Sequence, residues 1–218
     1  DADMIKGEFT NLTQEVLFRT NNKTLYKECF TAVHDGIQDK ELADEIEYFY
    51  NYELGRLYYN QGNYSLAKGY FERAFQLQPN NVEISGIFVS VIAHNLRQAN
   101  DGKEITDSLQ TYLRRFPVLG ENNNFNSMLA TATVMLMGDD FSKSRTQAGE
   151  ANRALFEKMI KDNRNLNVNP SVVGGAYSAA GSYYFKRGQK SKAREILEKG
   201  LELAPGNYEL RTRLQMIR

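Results

Sequence analysis

The chain has 218 residues, its 27 basic side chains are balanced by 27 acidic ones, and 41% of its residues are hydrophobic. This composition indicates a globular protein and argues against a disordered chain. It also lacks the basic excess that binding to nucleic acid or to an anionic membrane requires, so we expect neither partner.

Few side chains are suited to metal or redox chemistry. The sequence contains one cysteine, Cys29, and two histidines, His34 and His94. A single cysteine excludes an intramolecular disulfide, and the three side chains do not form an ordinary zinc site. We therefore expect no cofactor and no metal, and we interpret Cys29 as a buried structural residue. The longest apolar run, residues 87–93, is too short for a transmembrane segment.

Apolar residues recur at helical spacing along the chain, as in the set Ile46, Tyr50, Leu54 and Leu57, and no strand-like alternation of useful length is present. The prediction is therefore all-α. The predicted helices span residues 9–19, 22–38, 40–61, 64–78, 82–99, 103–116, 122–137, 145–163, 171–187, 190–203 and 207–217. Glycine, asparagine and aspartate mark the breaks between them, including an expected turn at residues 138–140.

The four prolines suggest that the helices are organised in repeats. Pro79, Pro117, Pro170 and Pro205 each follow a helical pattern, and proline ends helices because it lacks the N–H group and disfavours the α conformation before it. Their separations are 38, 53 and 35 residues. Two of these separations suit one two-helix unit, and the third suits such a unit with an insertion.

Residues 54–79 resemble the tetratricopeptide repeat. The matching residues are Leu54, Gly55, Tyr58, Gly62, Tyr64, Ala67, Phe71, Ala74 and Pro79, with only the aromatic residue expected at Asn51 missing. A second copy near the end of the chain matches at Tyr177, Ala180, Gly181, Tyr184, Gly188, Ala193, Leu197, Gly200 and Pro205, and departs at Lys190. Weaker copies occupy residues 81–117 and 125–170.

The resemblance implies a right-handed superhelical solenoid of antiparallel helix pairs. In this interpretation, residues 1–39 form an N-terminal helical pair that is either a cap or a degenerate repeat. Residues 40–218 form the repeat region, with an insertion at 138–170 and a C-terminal capping helix at 207–217. Gly55 and Gly181 are expected to let a neighbouring helix approach closely.

In this family the first helix of each pair lines a concave groove. The resemblance places there Phe49, Tyr52, Arg56, Tyr59, Asn60, Ser90, His94, Arg97, Gln98, Ser178, Ser182, Phe185 and Lys186. Tyrosine and arginine beside amides make an adaptable binding surface. The alternative is that these aromatic residues pack on adjacent units or on the N-terminal pair. A lone histidine such as His94 is more often a hydrogen-bonded surface residue than a ligand.

These residues predict a non-enzymatic interaction module that binds a peptide or protein segment around Tyr52, Arg56, Tyr59 and Arg97. Some relatives hold a chaperone's terminal carboxylate with lysine and asparagine, but Tyr52 and Arg56 stand at those positions, so that ligand is not supported. The alternative is a cell-envelope accessory or ligand-binding protein. In that case insertions at 139–147 and 163–169 would cover the groove and create a pocket for a small molecule or glycan.

No motif arranges catalytic chemistry. Residues 188–191 lack the earlier glycine and the lysine of a phosphate loop. The acidic pairs Asp139–Asp140 and Glu45–Glu47 are expected in a turn and on a solvated helix face, without an apolar pocket to raise a pKa. Because the sequence begins without an initiator methionine or a signal-peptide core, a processed form and a part of a longer polypeptide are both open, as are a cytoplasmic and an exported location. The oligomeric state is also left open.

Overall fold

The computed structural model describes residues 1–96 and 101–217. Within these ranges every regular element is a helix, which confirms the all-α prediction. The helices pack in adjacent pairs, with α3 against α4, α7 against α8 and α9 against α10 in the numbering given below. The chain divides into two compact units, Asp1–Asn95 and Leu96–Arg218.

The N-terminal unit is built on five α-helices. They are α1 (Ala2–Leu12), α2 (Lys23–Gly36), α3 (Lys40–Asn60), α4 (Tyr64–Leu77) and α5 (Val82–Leu96), and a π-helical segment, Thr13–Arg19, continues α1. Helices α2, α3 and α4 are capped at their N-termini by Asn22, Asp39 and Asn63, whose side chains accept hydrogen bonds from first-turn N–H groups. These bonds satisfy donors that have no partner inside the helix.

The first helix starts earlier than predicted. It begins at Ala2 rather than near residue 9, and the side chain of Asp1 accepts a hydrogen bond from the N–H group of Asp3. Most residues before Phe9 are exposed, and among residues 2–8 only Ile5 packs against the apolar core, so the first turns carry a weak apolar period. Only Phe9 is fully buried in α1, where its ring contacts Tyr26 and Phe49. The predicted end of α5 at residue 99 lies outside the described residues.

The first repeat is held together by small residues against one ring. A Cβ atom added at Gly55 would lie 3.0 Å from the ring of Phe71, which is fully buried. Ala67 and Ala74 on α4 are also fully buried. The turn between α3 and α4 uses Gly62 with φ of 73°, a left-handed conformation that favours glycine.

Within residues 101–217, the described part of the C-terminal unit, there are six α-helices. They are α6 (Gly102–Arg115), α7 (Asn123–Ser142), α8 (Thr146–Asp162), α9 (Pro170–Lys186), α10 (Lys190–Leu203) and α11 (Tyr208–Met216), and a 3-10 turn, Pro117–Glu121, joins α6 to α7. One apolar cluster runs through α7 to α11 and includes the fully buried rings of Phe156 and Tyr177.

The predicted turn at residues 138–140 is wrong, because α7 continues through it to Ser142. Gly138 lies inside the helix, where an added Cβ atom would be 3.0 Å from the Cα atom of Ala176 on α9. The glycine therefore allows two helices to touch rather than permitting a bend. The chain turns after α7 instead, where Ser144 has φ of 59°.

The second repeat repeats these contacts with different side chains. A Cβ atom added at Gly181 would lie 2.6 Å from the side chain of Leu197, and one at Gly200 would lie 2.6 Å from the Cβ atom of Tyr177. Gly188 makes the turn between α9 and α10 with φ of 75°. Tyr177 thus occupies the aromatic position that Asn51 leaves empty in the first repeat, and Gly200 makes room for it.

Candidate functional site

In the first repeat, two of the predicted groove residues are bound within the unit. Tyr52 is buried, and its hydroxyl group donates a hydrogen bond of 2.8 Å to Glu83 on α5. The guanidinium group of Arg56 donates to both carboxylate oxygens of Glu53 at 3.1 Å and lies 5.7 Å from the centre of the Tyr52 ring. A ligand would have to displace these contacts to use either side chain.

The buried positions of Tyr52 and Glu53 change their pKa values. Burial, followed by the bond to Glu83, raises the pKa of Tyr52 well above its ordinary value of 10. Burial also raises the pKa of Glu53, although the neighbouring Arg56 charge opposes that shift. Tyr52 is therefore a neutral phenol, and Arg56 is a cation that is already paired within the unit.

The remaining predicted residues of the N-terminal unit differ in exposure. Tyr59 is half-buried and meets Tyr64 and His94 edge to face, with ring centres 5.4 and 5.9 Å apart. The ring of His94 stacks on Tyr64 at 4.0 Å, so this histidine is an aromatic packing partner. Asn60 is exposed.

Phe49 faces the N-terminal helix. Its ring meets that of Phe9 on α1 at 6.0 Å, and both residues line a small cleft together with Lys6 and Glu45, which form an ion pair. This packing on the N-terminal helices is the alternative considered for the groove aromatics. Arg97 and Gln98 lie outside the described residues.

The C-terminal unit has an open polar cleft on the corresponding face. It has a volume of about 370 Å³, and its walls come from the end of α7, from α9 and from α11. The residues that line this polar cleft are Phe141, Ser142, Ser144, Gly175, Ser178, Ala179, Ser182, Tyr183, Lys186, Arg187, Glu209 and Arg213. Of the predicted groove residues, Ser178, Ser182 and Lys186 lie here.

The floor of the polar cleft is fixed by one buried hydroxyl group. Ser178 is buried, and its Oγ atom donates a 2.6 Å hydrogen bond to Glu209. Arg213, one turn further along α11, donates to the same oxygen at 2.9 and 3.1 Å. The bond from Ser178, followed by those from Arg213, holds the pKa of Glu209 below its usual value, so this carboxylate is charged at neutral pH.

The rim carries two further cations. The guanidinium carbon of Arg187 lies 3.7 Å from the centre of the Tyr183 ring, and its long 3.5 Å contact is with the hydroxyl group of Ser144. Lys186 is exposed, and within residues 1–96 and 101–217 its side chain forms no hydrogen bond or ion pair. Three cations and one carboxylate therefore line the polar cleft, which leaves an excess of positive charge.

A separate ionic network joins α8 to α9 and α10. Glu150 accepts a hydrogen bond from the hydroxyl group of Tyr184 and pairs with Arg153 at 2.8 Å and Lys192 at 3.0 Å. Burial alone would raise the pKa of Glu150, but the bonds from Tyr184, Lys192 and Arg153 lower it to about 2. This carboxylate is therefore ionised and structural at neutral pH.

The acidic pair Asp139–Asp140 is not in a solvated turn, contrary to expectation. Both residues lie in the last turns of α7, and Asp140 is buried. Arg145 donates to Asp140 at 2.7 Å and to Asp139 at 2.6 Å, while Asn152 donates to Asp140 at 2.8 Å. These bonds tie α7 to α8. They give the pair a structural role.

Cys29 is half-buried rather than buried. Across residues 1–96 and 101–217, no group of three or more histidine, cysteine, aspartate or glutamate side chains is placed to hold a metal ion. In those ranges no helix combines the length and the hydropathy needed to cross a bilayer.

Sequence reasoning missed Arg187, Glu209 and Arg213 as groove residues. The sequence pattern predicts only a capping helix at 207–217, whereas α11 supplies one wall of the polar cleft. A signal was present, because Glu209 follows Gly181 by the same 28 residues that separate Glu83 from Gly55. The helix after each repeat therefore places a carboxylate opposite the groove face of the first helix.

The family model for the tetratricopeptide repeat matches residues 48–81 and, in a second version, residues 174–207. No curated protein matches the chain. The two matches coincide with the α3–α4 and α9–α10 pairs and with their glycine contacts. Repeats of this kind generally mediate protein–protein interaction. The chain therefore contains tetratricopeptide repeats at these two places.

Proposed function

We propose that this chain is a non-enzymatic interaction protein that binds a peptide or protein segment, and that the polar cleft of the C-terminal unit is its docking site. The observation that carries the proposal is Lys186, an exposed cation on the cleft rim without an ionic partner in the described structure. Such a group can form a new ion pair without first breaking an old one.

The N-terminal repeat is a weaker candidate for the primary site. Tyr52 is buried and bonded to Glu83, and Arg56 is held by Glu53. Recruiting Arg56 would leave the buried Glu53 carboxylate unpaired, which is costly in a weakly solvated position. We therefore place primary binding at Ser182, Lys186 and Arg187 rather than around Tyr52 and Arg56.

The small-molecule alternative requires the insertions at 139–147 and 163–169 to cover the groove. Phe141, Ser142 and Ser144 of the first insertion line the polar cleft. The polar contacts of the 163–169 segment, however, are with the first two turns of α7, where Asn163 donates to Asn123 at 2.9 Å and the N–H group of Asn167 donates to Ser127 at 3.0 Å. The polar cleft lies at the other end of α7, beside Phe141 and Ser142. These contacts do not favour the alternative.

A selection from a random peptide library tests the proposal. Peptides that bind the wild-type chain are then measured by isothermal titration calorimetry against Lys186→Gln/Arg187→Gln. We expect affinity to fall by roughly tenfold or more, because two cations leave the docking site. The matched control is Lys158→Gln/Lys161→Gln, which removes two exposed lysines from α8, away from the cleft. Equal loss in both variants would contradict the proposed site.

A further inference from the structure

A second cleft lies directly beside the polar one. It is lined by Gly181, Ser182, Phe185, Lys186, Leu197, Arg213, Met216 and Ile217. Three of these residues, Ser182, Lys186 and Arg213, also line the polar cleft, so the two depressions share one wall. We call the second depression the apolar cleft.

The apolar cleft leaves hydrophobic side chains in contact with water. Phe185 is 38% exposed and Met216 is 68% exposed, while Leu197 and Ile217 form its buried floor. Its volume is about 120 Å³, and an apolar cavity of about 150 Å³ is large enough to hold benzene. The space therefore suits one large aliphatic or aromatic side chain of a partner, whose burial would remove apolar surface from water.

The polar cleft selects for negative charge. Glu209 neutralises one of its cations, Arg213, while Lys186 keeps no ionic partner within the described residues. Arg187 stacks one face of its planar guanidinium group on Tyr183, and the edge of this group, which makes a long 3.5 Å contact with Ser144, can bind a carboxylate. The charged Glu209 within the same cleft disfavours a dianionic phosphate more than a singly charged carboxylate.

Together the two clefts point to one pattern in the bound segment. We propose that the partner is an acidic peptide segment in which an aspartate or glutamate contacts Lys186 and Arg187 while a nearby large apolar side chain fills the apolar cleft. This inference rests on the proposed function, since it assigns the residue types that the docking site selects. Because the two clefts share the wall of Ser182, Lys186 and Arg213, one short segment can place a side chain in each of them.

The test compares which residues a random peptide library enriches on different variants. On the wild-type chain we expect enrichment of aspartate or glutamate close to leucine, isoleucine, methionine or phenylalanine. Lys186→Gln/Arg187→Gln should lose the acidic preference and keep the apolar one. Phe185→Gln/Met216→Gln should lose the apolar preference and keep the acidic one. Both pairs of residues are exposed, and circular dichroism checks that each variant folds.

Two controls match these variants. Lys158→Gln/Lys161→Gln removes the same charge from α8, and Leu155→Gln removes an apolar side chain that is 39% exposed on that helix. The two control variants should retain the acidic and the apolar preference. If peptides are selected and lose affinity in Lys186→Gln/Arg187→Gln but show no acidic and apolar pair, the docking site stands and this inference fails.

Synthetic peptides provide the decisive comparison. In the best-enriched peptide, changing the acidic residue to its amide, or the apolar residue to alanine, should each weaken binding by roughly tenfold, as measured by fluorescence anisotropy. Binding through the acidic residue should also weaken as salt is raised. Tighter binding after replacement of the acidic residue by phosphoserine would overturn the assignment of a carboxylate ligand.

Discussion

The two repeats share one scaffold but differ on the face where a partner would dock. Gly55 and Gly181 each receive a side chain from the second helix of the pair. Tyr52 and Ser178 occupy equivalent positions, and each donates a hydrogen bond to a carboxylate 31 residues further along the chain. The tyrosine fills its groove, whereas the serine leaves room for a cleft.

This difference separates the residues that build the repeat from those that define its surface. The glycine contacts cannot vary freely, because the space around them is already occupied at 3.0 Å or less. The groove positions meet solvent or a neighbouring helix, so the side chain there can be large or small. The same backbone can therefore carry groove side chains that are bonded within the unit in one repeat and an open cleft in the other.

The largest predicted effect concerns the shared glycines. Gly55→Leu should lower the free energy of unfolding by on the order of 3 kcal/mol, because the added side chain must displace the buried Phe71 ring. Chemical denaturation followed by circular dichroism measures the change. Gly69→Leu on α4 is the matched control, since a Cβ atom there meets nothing within 4 Å. Equal costs at the two sites would show that close packing at Gly55 is not what holds the repeat.

These glycines also indicate how far sequence can predict this molecule. The helices and the contacts of Gly55 and Gly181 follow from local period and from a spacing pattern within one repeat. The turn predicted at Gly138 is wrong because Gly-Asp-Asp has turn composition, whereas the glycine is needed for the close approach of Ala176 on another helix. The composition around Gly138 does not predict its contact with a residue on another helix.

The candidate site was harder to predict for a similar reason. Ser182 and Lys186 followed from the repeat pattern on α9, but Arg213 reaches the cleft from α11. The pairing of Arg56 with Glu53, three residues earlier on α3, is visible in the sequence spacing. No acidic residue lies three or four positions from Lys186, so its lack of an ion pair within the described ranges depends on packing between helices, which the sequence does not show.

Lowering the pH should change the contributions of Glu150 and Glu53 to stability in opposite directions. The folded pKa of Glu150, about 2, is below its ordinary value of 4.5, so its stabilisation is present above pH 4.5 and is lost as the pH falls towards 2. Glu150→Gln should therefore cost about 1–3 kcal/mol at pH 7 and progressively less in acid. Denaturation curves across pH 2–7 for the variant and the wild type measure this difference.

Glu53 provides the contrast for that experiment. Burial raises its folded pKa, so its contribution to stability is present below pH 4.5 and is lost as the pH rises through the folded value. Glu53→Gln should change the pH profile in the opposite sense to Glu150→Gln. Glu195→Gln, at an exposed position on α10, should leave the profile as it is. Parallel profiles for all three variants would contradict the assigned environments.

The equivalent hydrogen bonds offer a smaller effect. Tyr52→Phe and Ser178→Ala each remove one hydroxyl donor to a carboxylate, and each should cost about 1 kcal/mol. Ser178→Ala should also weaken selected peptides, because Glu209 loses one of its anchors beside the ligand. Tyr52→Phe should leave peptide affinity unchanged. Denaturation and anisotropy on the same samples measure both quantities, and peptide loss in Tyr52→Phe alone would move the docking site to the N-terminal unit.

The smallest predicted effect is at the start of each second helix. Asn63 accepts a 3.2 Å hydrogen bond from the N–H group of Leu66, whereas Gln189, at the same position of the second repeat, forms no such bond. Because an asparagine cap is typically worth about 1 kcal/mol, Asn63→Ala should destabilise the protein and Gln189→Ala should be neutral. Gln189→Asn should stabilise it by about 0.5–1 kcal/mol, since it supplies a missing partner for a first-turn donor. The denaturant midpoints of the three variants measure these changes in stability. Gly62 and Gly188 both have positive φ, so the two turns are expected to present their N–H groups alike. A loss of stability in Gln189→Asn would contradict this expectation.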